Sequence, residues 1–443
     1  EQAPDGSADQ NVFEIQQGVS VNLFVKNKVK QDCSVYNADL YGEQDKKYQW
    51  LLRNDAASTQ WQSLSPQASF YLFTPQDMSL LDEYEKGWKI NEIMPVNSVG
   101  IVTARDDLTI HWKKEDIWET VCDFVSLPPE NARYKYNLGN DARDWKVELA
   151  QQDLKAGKGL SKDKIVPITY RPFDIRYTYY TGKSRGFICM PRPEVMQHLL
   201  KENLGLVTVR QQSQQSQSWC LIGVTRQLIE GCIISNKTKE INYLFPLRIY
   251  DITKKSLFGS IEKNKPEKYQ SNFAPGFISR LKNMLGLNYI SSGKSNLETS
   301  FCPENVFHYI YAVFHSPEYR DRYANFLKID FPRLPLTSSL DLFRALSKLG
   351  GDLVALHLME SPKLDQHLTT FEGSTNPVVE KISWAKNTVW IDKKQTRGFQ
   401  GVPEEVWNFH IGSYQVCEKW LKDRKGRTLT ADDINHYHRI VVA

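Results

Sequence analysis

Between residues 165 and 260 the chain runs through "IVPITYRPFDIRYTYYTG", "GFICMP", "GLVTVR", "WCLIGV", "GCIIS" and "NYLFPLRIY". These are short β-branched or aromatic segments cut apart by Gly, Pro, Ser and Lys, the pattern of a sheet domain built from short strands. One helix interrupts them, "RPEVMQHLLKEN", where Pro193 suits a first helical turn. After residue 300 the periodicity changes. Val306, Ile310, Val313 and Phe314 recur at helical spacing up to a break at Pro317. "SSLDLFRALSKLGGDLVALHLME" reads as two helices separated by Gly350-Gly351, "ISWAKNTVWI" as β, and "IGSYQVCEKWLKDRKG" as helix. The fold class expected is α+β, a mixed and mostly antiparallel sheet domain with a C-terminal helical layer.

Towards the N-terminus, "NVFEIQQGVSVNLFVKN" alternates apolar residues (Val19, Val21, Leu23, Val25) as a strand does. With "SVYNADLYG" it reads as a β-hairpin, and "EQDKKYQWLLRND" as the helix that follows. Residues 57–157 read as a connecting region whose clear helix is 141–156, with Asp141 as N-cap. The Lys-rich stretch "KKSLFGSIEKNKPEKYQSN" reads as a mobile loop. At 443 residues the chain has room for two or three cores, and no apolar run reaches the roughly 20 residues of a membrane span. Its seven Cys form no CxxC pair and no even disulfide set, which fits a reducing cytoplasm. The chain starts on Glu with a polar stretch, which points to a piece of a longer protein.

Enzymatic signatures are missing. HExxH, GxxxxGK[ST], GxSxG and GxGxxG do not occur. His308 and His315 fall seven apart on one helix, but no Cys or carboxylate set completes a metal site, and His436 and His438 read the same way. A methyltransferase acting on a flipped base needs a polar-Pro-Pro-aromatic loop; "SLPPE" and "TNPVV" both depart from it and read as turns.

The chemistry that is present is cationic. The net charge is only +4, yet Lys158 to Gln227 holds eleven Lys or Arg against four Asp or Glu. In "TYRPFDIRYTYYTGKSRGF", Arg171, Arg176, Lys183 and Arg185 are interleaved with Tyr and Phe, as suits a groove that neutralises phosphates and packs bases. Read as one strand, it puts Asp174 and Arg176 on one face, where a structural ion pair is the competing reading. Arg192 and Arg226 lie in the same window. So does "RQQSQQSQSW", between two strand-like runs. Arg pairs bidentately with guanine and Gln with adenine, which makes Arg210, Gln211, Gln212, Gln214 and Gln215 candidate base readers; Gln and Ser runs are also common in slack linkers.

"YRPFDIRYTYYTGKSRGF", "YIYAVFHSPEYRDRYANFLKIDFPRLPLT", "LGGDLVALHLME" and "VWNFHIGSYQVCEKWLKDRKGRTLTADDINHYHRI", in this order, resemble the C-terminal part of type ISP restriction-modification enzymes. Those are single polypeptides joining a nuclease, a helicase-like ATPase motor, an adenine-N6 methyltransferase and a target recognition domain. The resemblance implies that 1–56 closes the methyltransferase core, that 57–157 connects, and that 158–443 recognises the target. It implies a non-catalytic, monomeric piece with no cofactor of its own, from a parent using S-adenosylmethionine, ATP and Mg. The partners implied are double-stranded DNA, contacted on its backbone by Arg176, Lys183, Arg185, Arg192 and Arg226, and the upstream domains of the same polypeptide. Two alternatives stand beside it: a complete S-adenosylmethionine-dependent DNA methyltransferase with unrecognised motifs, and a scaffold that contacts protein between motor and methyltransferase.

Overall fold

Short strands hold only where hydrogen-bonding neighbours and an apolar cover exist, and the computed structural model shows where both are found. It describes the chain except residues 1–2, 4, 16–17, 27–32, 69, 214–217, 238–239, 252–267 and 374–375. Most of the expected mobile Lys-rich loop lies outside the described residues. The chain divides into two compact units, Glu1–Ser79 and Leu80–Ala443.

In the first unit the helix forms, as Gln44–Arg53, but the expected hairpin does not. Residues 18–26 carry no strand, and Val35–Asn37 pairs instead with Gln62–Leu64, antiparallel. Alternation defines two faces of a strand but names no partner for either. Here Val21, Leu23, Phe24 and Val25 stand 91%, 83%, 80% and 77% exposed. Among the described residues of this unit only Ala3 and Lys47 are buried, the latter held by Asp9 at 2.6 Å.

Among the described residues the second unit carries three four-stranded sheets. The first runs Leu228–Ile229, Ile165–Arg171, Asp174–Tyr179, Ile110–His111, antiparallel except for its first pair. The run read as one strand is thus a hairpin turned at Pro172-Phe173, with Arg171 opposite Asp174. The second sheet, Ser98–Val99, Asn242–Pro246, Gly205–Val209, Ile222–Thr225, is wholly antiparallel. In the third, Thr370–Glu372, Gly398–Gln400, Thr388–Trp390 and Ser383–Ala385 follow in order. Strands from the stretch read as connecting, Ser98–Val99 and Ile110–His111, are therefore integral to two of these sheets. This is the mixed helix-and-sheet architecture with small antiparallel sheets.

The expected helix at 141–156 begins later, at Val147, because Ala142 and Trp145 form a bridge that buries the Trp145 indole. Asp141 still reaches the Val147 amide, at 3.3 Å. Pro193 opens its helix as expected, and the helix at Pro303 ends at His315, where Ser316 caps a new one starting at Pro317. Gly350-Gly351 does not split its segment: Leu340–His357 is one helix. A Cβ on Gly350 would lie 1.9 Å from the His308 carbonyl oxygen, so the glycine serves close approach of two helices rather than a break. In the C-terminal layer, Val416–Lys422 and Ala431–Val442 pack Trp420, Leu421, Tyr437 and Ile440 on Val389 and Phe399 of the third sheet. Among the described residues no helix is long and apolar enough to cross a membrane.

Two half-buried histidines, His315 and His357, sit on the paired helices. Tyr311 Oη and His357 Nδ1 share a hydrogen bond of 2.6 Å, and His315 Nδ1 donates to the Tyr311 carbonyl at 2.9 Å. Burial, aided by the Arg320 charge, pushes His315 down to about 3 and His357 down to about 4. The unfolded chain binds these protons near 6.5, so the stability from keeping both rings neutral is complete above that pH and is lost as pH falls towards 4 and 3. The urea midpoint is expected to drop steadily from pH 6.5 to about 4.5, before most carboxylates titrate. In the His315→Gln, His357→Gln double variant this acid slope should flatten, whatever the midpoint at pH 7.

Candidate nucleic-acid interface

The basic-aromatic hairpin turns most of its charge inward. Arg171 pairs with Glu230 at 2.6 Å and lies over the Tyr170 ring. Arg176 bonds Asp174 at 2.9 Å, approaches Asp423 at 3.6 Å, and is sandwiched between Trp112 and Tyr170. Arg424 reaches the other Asp174 oxygen at 3.0 Å and stacks on Trp420. The ion pair that competed with the phosphate reading of Arg176 is therefore formed. With 11% of its side chain exposed, Arg176 offers a phosphate little access. The same residue types build an internal lock between the first sheet and the C-terminal layer.

The other cations differ in exposure. Lys183 and Arg185 sit on the turn Thr181–Gly186, both exposed. Buried Asp153 shapes this turn by accepting from Thr181 Oγ1 at 2.8 Å and the Phe187 amide at 2.9 Å. Gly186 is required there, since a Cβ would meet the Asp153 carboxylate at 2.1 Å. Arg185 reaches Asp144 at 3.3 Å; among the described residues Lys183 has no carboxylate partner. Arg192 is partly buried with φ +52° and contacts Met190 Sδ at 3.3 Å. Arg226 pairs with Glu360 at 2.5 Å and keeps 37% of its side chain exposed.

The Gln-rich loop leaves the second sheet after Val209, and its first residues are anchored. Arg210 donates through Nε to Asp330 at 3.0 Å and remains 58% exposed, so its terminal amino groups are available to another partner. Lys89 bonds the same Asp330 at 2.8 Å. Burial alone would raise the Asp330 carboxyl, but the hydrogen bonds from Lys89 and Arg210 hold it below the ordinary value. Gln211 is exposed; Gln212 is buried, its amide donating to the Lys328 carbonyl at 3.0 Å. The Ser213 amide donates to Glu240 at 2.5 Å, and this buried carboxylate also accepts from Ser235 Oγ. Gln214 and Gln215 lie outside the described residues. After the undescribed residues Ser218 is exposed and Trp219 is buried, edge-on against Phe314.

The sequence did not single out Glu240 and Asp330: the loop residues they hold, Ser213 and Arg210, lie 27 and 120 residues away. Among the described residues, the unit thus holds the anchored opening stem of a Gln-rich loop and, elsewhere, exposed cations. Among the described residues no group of three or more His, Cys, Asp or Glu could hold a metal ion. An open depression of about 610 Å³ beside His308, Asn305, Arg344 and Ser347 shows no nucleophile–base pairing.

A family model for the "Type ISP C-terminal specificity domain" matches residues 92–442. No curated protein matches the chain. Solved structures that share the fold include the following three. The DrdV–DNA complex, by cryo-electron microscopy, is 19% identical with a TM-score of 0.63, covering 90% of this chain and 40% of that one. A nuclease-deletion mutant of the Type ISP restriction-modification enzyme LlaGI, with a DNA substrate mimic, is 17% identical with a TM-score of 0.59, covering 92% and 32%. The ATP-dependent Type ISP restriction-modification enzyme LlaBIII, bound to DNA, is 14% identical with a TM-score of 0.61, covering 90% and 26%. The chain thus spans two fifths or less of each of these chains.

Proposed function

The chain belongs to the family of Type ISP C-terminal specificity domains, and from that premise we propose that it reads the sequence of double-stranded DNA for a restriction-modification enzyme. The observation that carries this is the 210–217 loop. Its opening stem is held by Asp330, Lys328 and Glu240, and its sequence from Arg210 to Ser218 contains no apolar residue. Fixed stems hold donors and acceptors in register with base edges, which specificity requires, while cations elsewhere neutralise phosphates. Arg210, Gln211, Gln214 and Gln215 are the base-reading candidates, and the Gln212 backbone anchors them. Lys183, Arg185, Arg192 and Arg226 are the phosphate candidates; Arg176 works inside the fold.

The parent enzyme, on this reading, is an adenine-N6 methyltransferase with an ATP-dependent restriction motor, using S-adenosylmethionine, ATP and Mg through domains other than this one. Residues 1–56 close its methyltransferase core. The support is the unit's exposed apolar set, Val21 to Val25 with Leu52 and Trp61, which an isolated unit has no reason to keep. Methylome sequencing of cells carrying the parent should return one asymmetric or palindromic adenine-methylated motif. An unmodified genome would overturn the methyltransferase assignment.

The DNA reading makes a separate prediction for this chain. Ala at Gln211, Gln214 and Gln215 should cost about 1–3 kcal/mol of discrimination at the bases they contact, with affinity for unrelated duplexes unchanged. Ala at Lys183 should weaken binding to every duplex and lower the slope of log affinity against log salt by about 0.9. Fluorescence anisotropy over a salt series measures both. Unchanged sequence preference in the Gln variant would exclude the loop as the reader.

A further inference from the structure

We propose that the hairpin His410–Ile411/Tyr414–Gln415 is a second base-contacting element, presenting Phe409 and His410 to the duplex from the stretch of chain that also holds the Ser213 stem of the Gln-rich loop; this rests on the DNA-reading function above. Phe409 is 56% exposed and Asn408 and His410 are exposed as well, although Val406 and Trp407 just before them pack against the C-terminal core. A large apolar ring held in water next to polar neighbours, with a core close at hand, fits an outward role.

The hairpin is fixed to the same base as the reading loop. At its tip Gly412 has φ +57°, and a Cβ there would lie 2.3 Å from the Ile234 carbonyl oxygen, so only glycine lets the tip seat. The Gly412 amide donates to Cys220 Sγ at 3.3 Å, the Ser413 amide to the Ile234 carbonyl at 3.4 Å, and Tyr414 Oη to the Cys232 carbonyl at 2.9 Å. Ser413 Oγ accepts from the Asn236 amide at 3.2 Å and donates to Asn236 Oδ1 at 3.1 Å. Cys220 follows directly on the closing stem of the 210–217 loop, and Ser235 shares Glu240 with Ser213 of the opening stem. The Ser213 stem of the loop and the hairpin are therefore held by one stretch of chain, Cys220, Cys232, Ile234, Ser235, Asn236 and Glu240.

The chemistry of the two side chains suits a major groove. His410 Nδ1 donates to the Asn408 carbonyl at 2.6 Å, so Nε2 is the ring nitrogen turned to other partners, an acceptor in the Nδ1–H tautomer. An acceptor matches the exocyclic amine of adenine or cytosine, and the Phe409 ring matches a thymine methyl.

The test is selection of a binding motif from a pool of randomised duplexes by the 443-residue chain and its variants. The Phe409→Ala, His410→Ala double variant should melt as the wild type does, because both side chains are exposed. It should lose about tenfold preference at one or two motif positions that the Gln211, Gln214, Gln215 variant leaves intact, with the salt slope unchanged. Gly412→Ala, if its melting curve shows a folded protein, should lose the same positions. An unchanged motif in the double variant, alongside a relaxed one in the Gln variant, overturns the hairpin's role and leaves the function standing. A wild-type chain that binds but returns no motif overturns both. A double variant that keeps the motif and loses only protein binding assigns the hairpin to a protein partner and also overturns the proposal.

Discussion

Replacing Asp174 by Ala is expected to destabilise the second unit by about 3–5 kcal/mol, the cost of stranding a buried charge. Asp174 is 2% exposed and divides its oxygens between two guanidiniums, Arg176 at 2.9 Å and Arg424 at 3.0 Å. Burial already holds the Arg424 guanidinium below its ordinary value with the carboxylate in place. Without it, Arg424 keeps Asp433 only at 3.8 Å and must draw water in between Trp112 and Trp420. Adding Arg424→Met to Asp174→Ala should recover part of the loss, since an apolar pair of similar volume avoids the stranded charge. Urea unfolding of the single and double variants measures this. Equal stability of Asp174→Ala and wild type would show that the lock is not closed in solution.

Gly350→Ala should cost about 3 kcal/mol, at the upper end of ordinary overpacking, because the new methyl meets backbone. It would sit 1.9 Å from the His308 carbonyl oxygen, and no rotamer change relieves that contact; the helices Pro303–His315 and Leu340–His357 must separate. At its neighbour the balance differs. A Cβ on Gly351 meets the His308 imidazole at 3.1 Å, a side chain that can shift. The roughly 1 kcal/mol that Ala gains over Gly within a helix offsets that contact, so Gly351→Ala should lie within about 1 kcal/mol of wild type. Thermal melts of the two single variants compare them directly. Similar losses at both positions would mean that the helix pair is uniformly tight and that the backbone contact at Gly350 is not special.

These two glycines show where sequence reading succeeds and where it stops. The helix at Pro303–His315 was legible from Val306, Ile310 and Val313, and the strands around Val207, Val224 and Phe245 from short β-branched and aromatic runs. Gly350-Gly351 was misread because a helix breaker and a close-packing contact look identical in one dimension. The N-terminal hairpin was misread because alternation fixes the faces of a strand and leaves its partner open; Val35 pairs with Leu64 instead. Arg176 is the same kind of case. Arg beside Tyr and Trp describes both a phosphate groove and an internal stack, and only Asp174, Asp423 and Trp112 in place around it decide between them.

By itself the sequence determined the kinds of element, their order, and a Gln-rich loop between two strands within a basic window, all properties set by neighbours within a few residues. Tertiary structure alone decided which cations face inward and what fixes the loop. Those outcomes depend on pairs such as Arg210 with Asp330, 120 residues apart, and Arg424 with Asp174, 250 apart. Local spacing carries no trace of such pairs, because the energy of an ion pair depends on the distance and burial that the finished fold imposes.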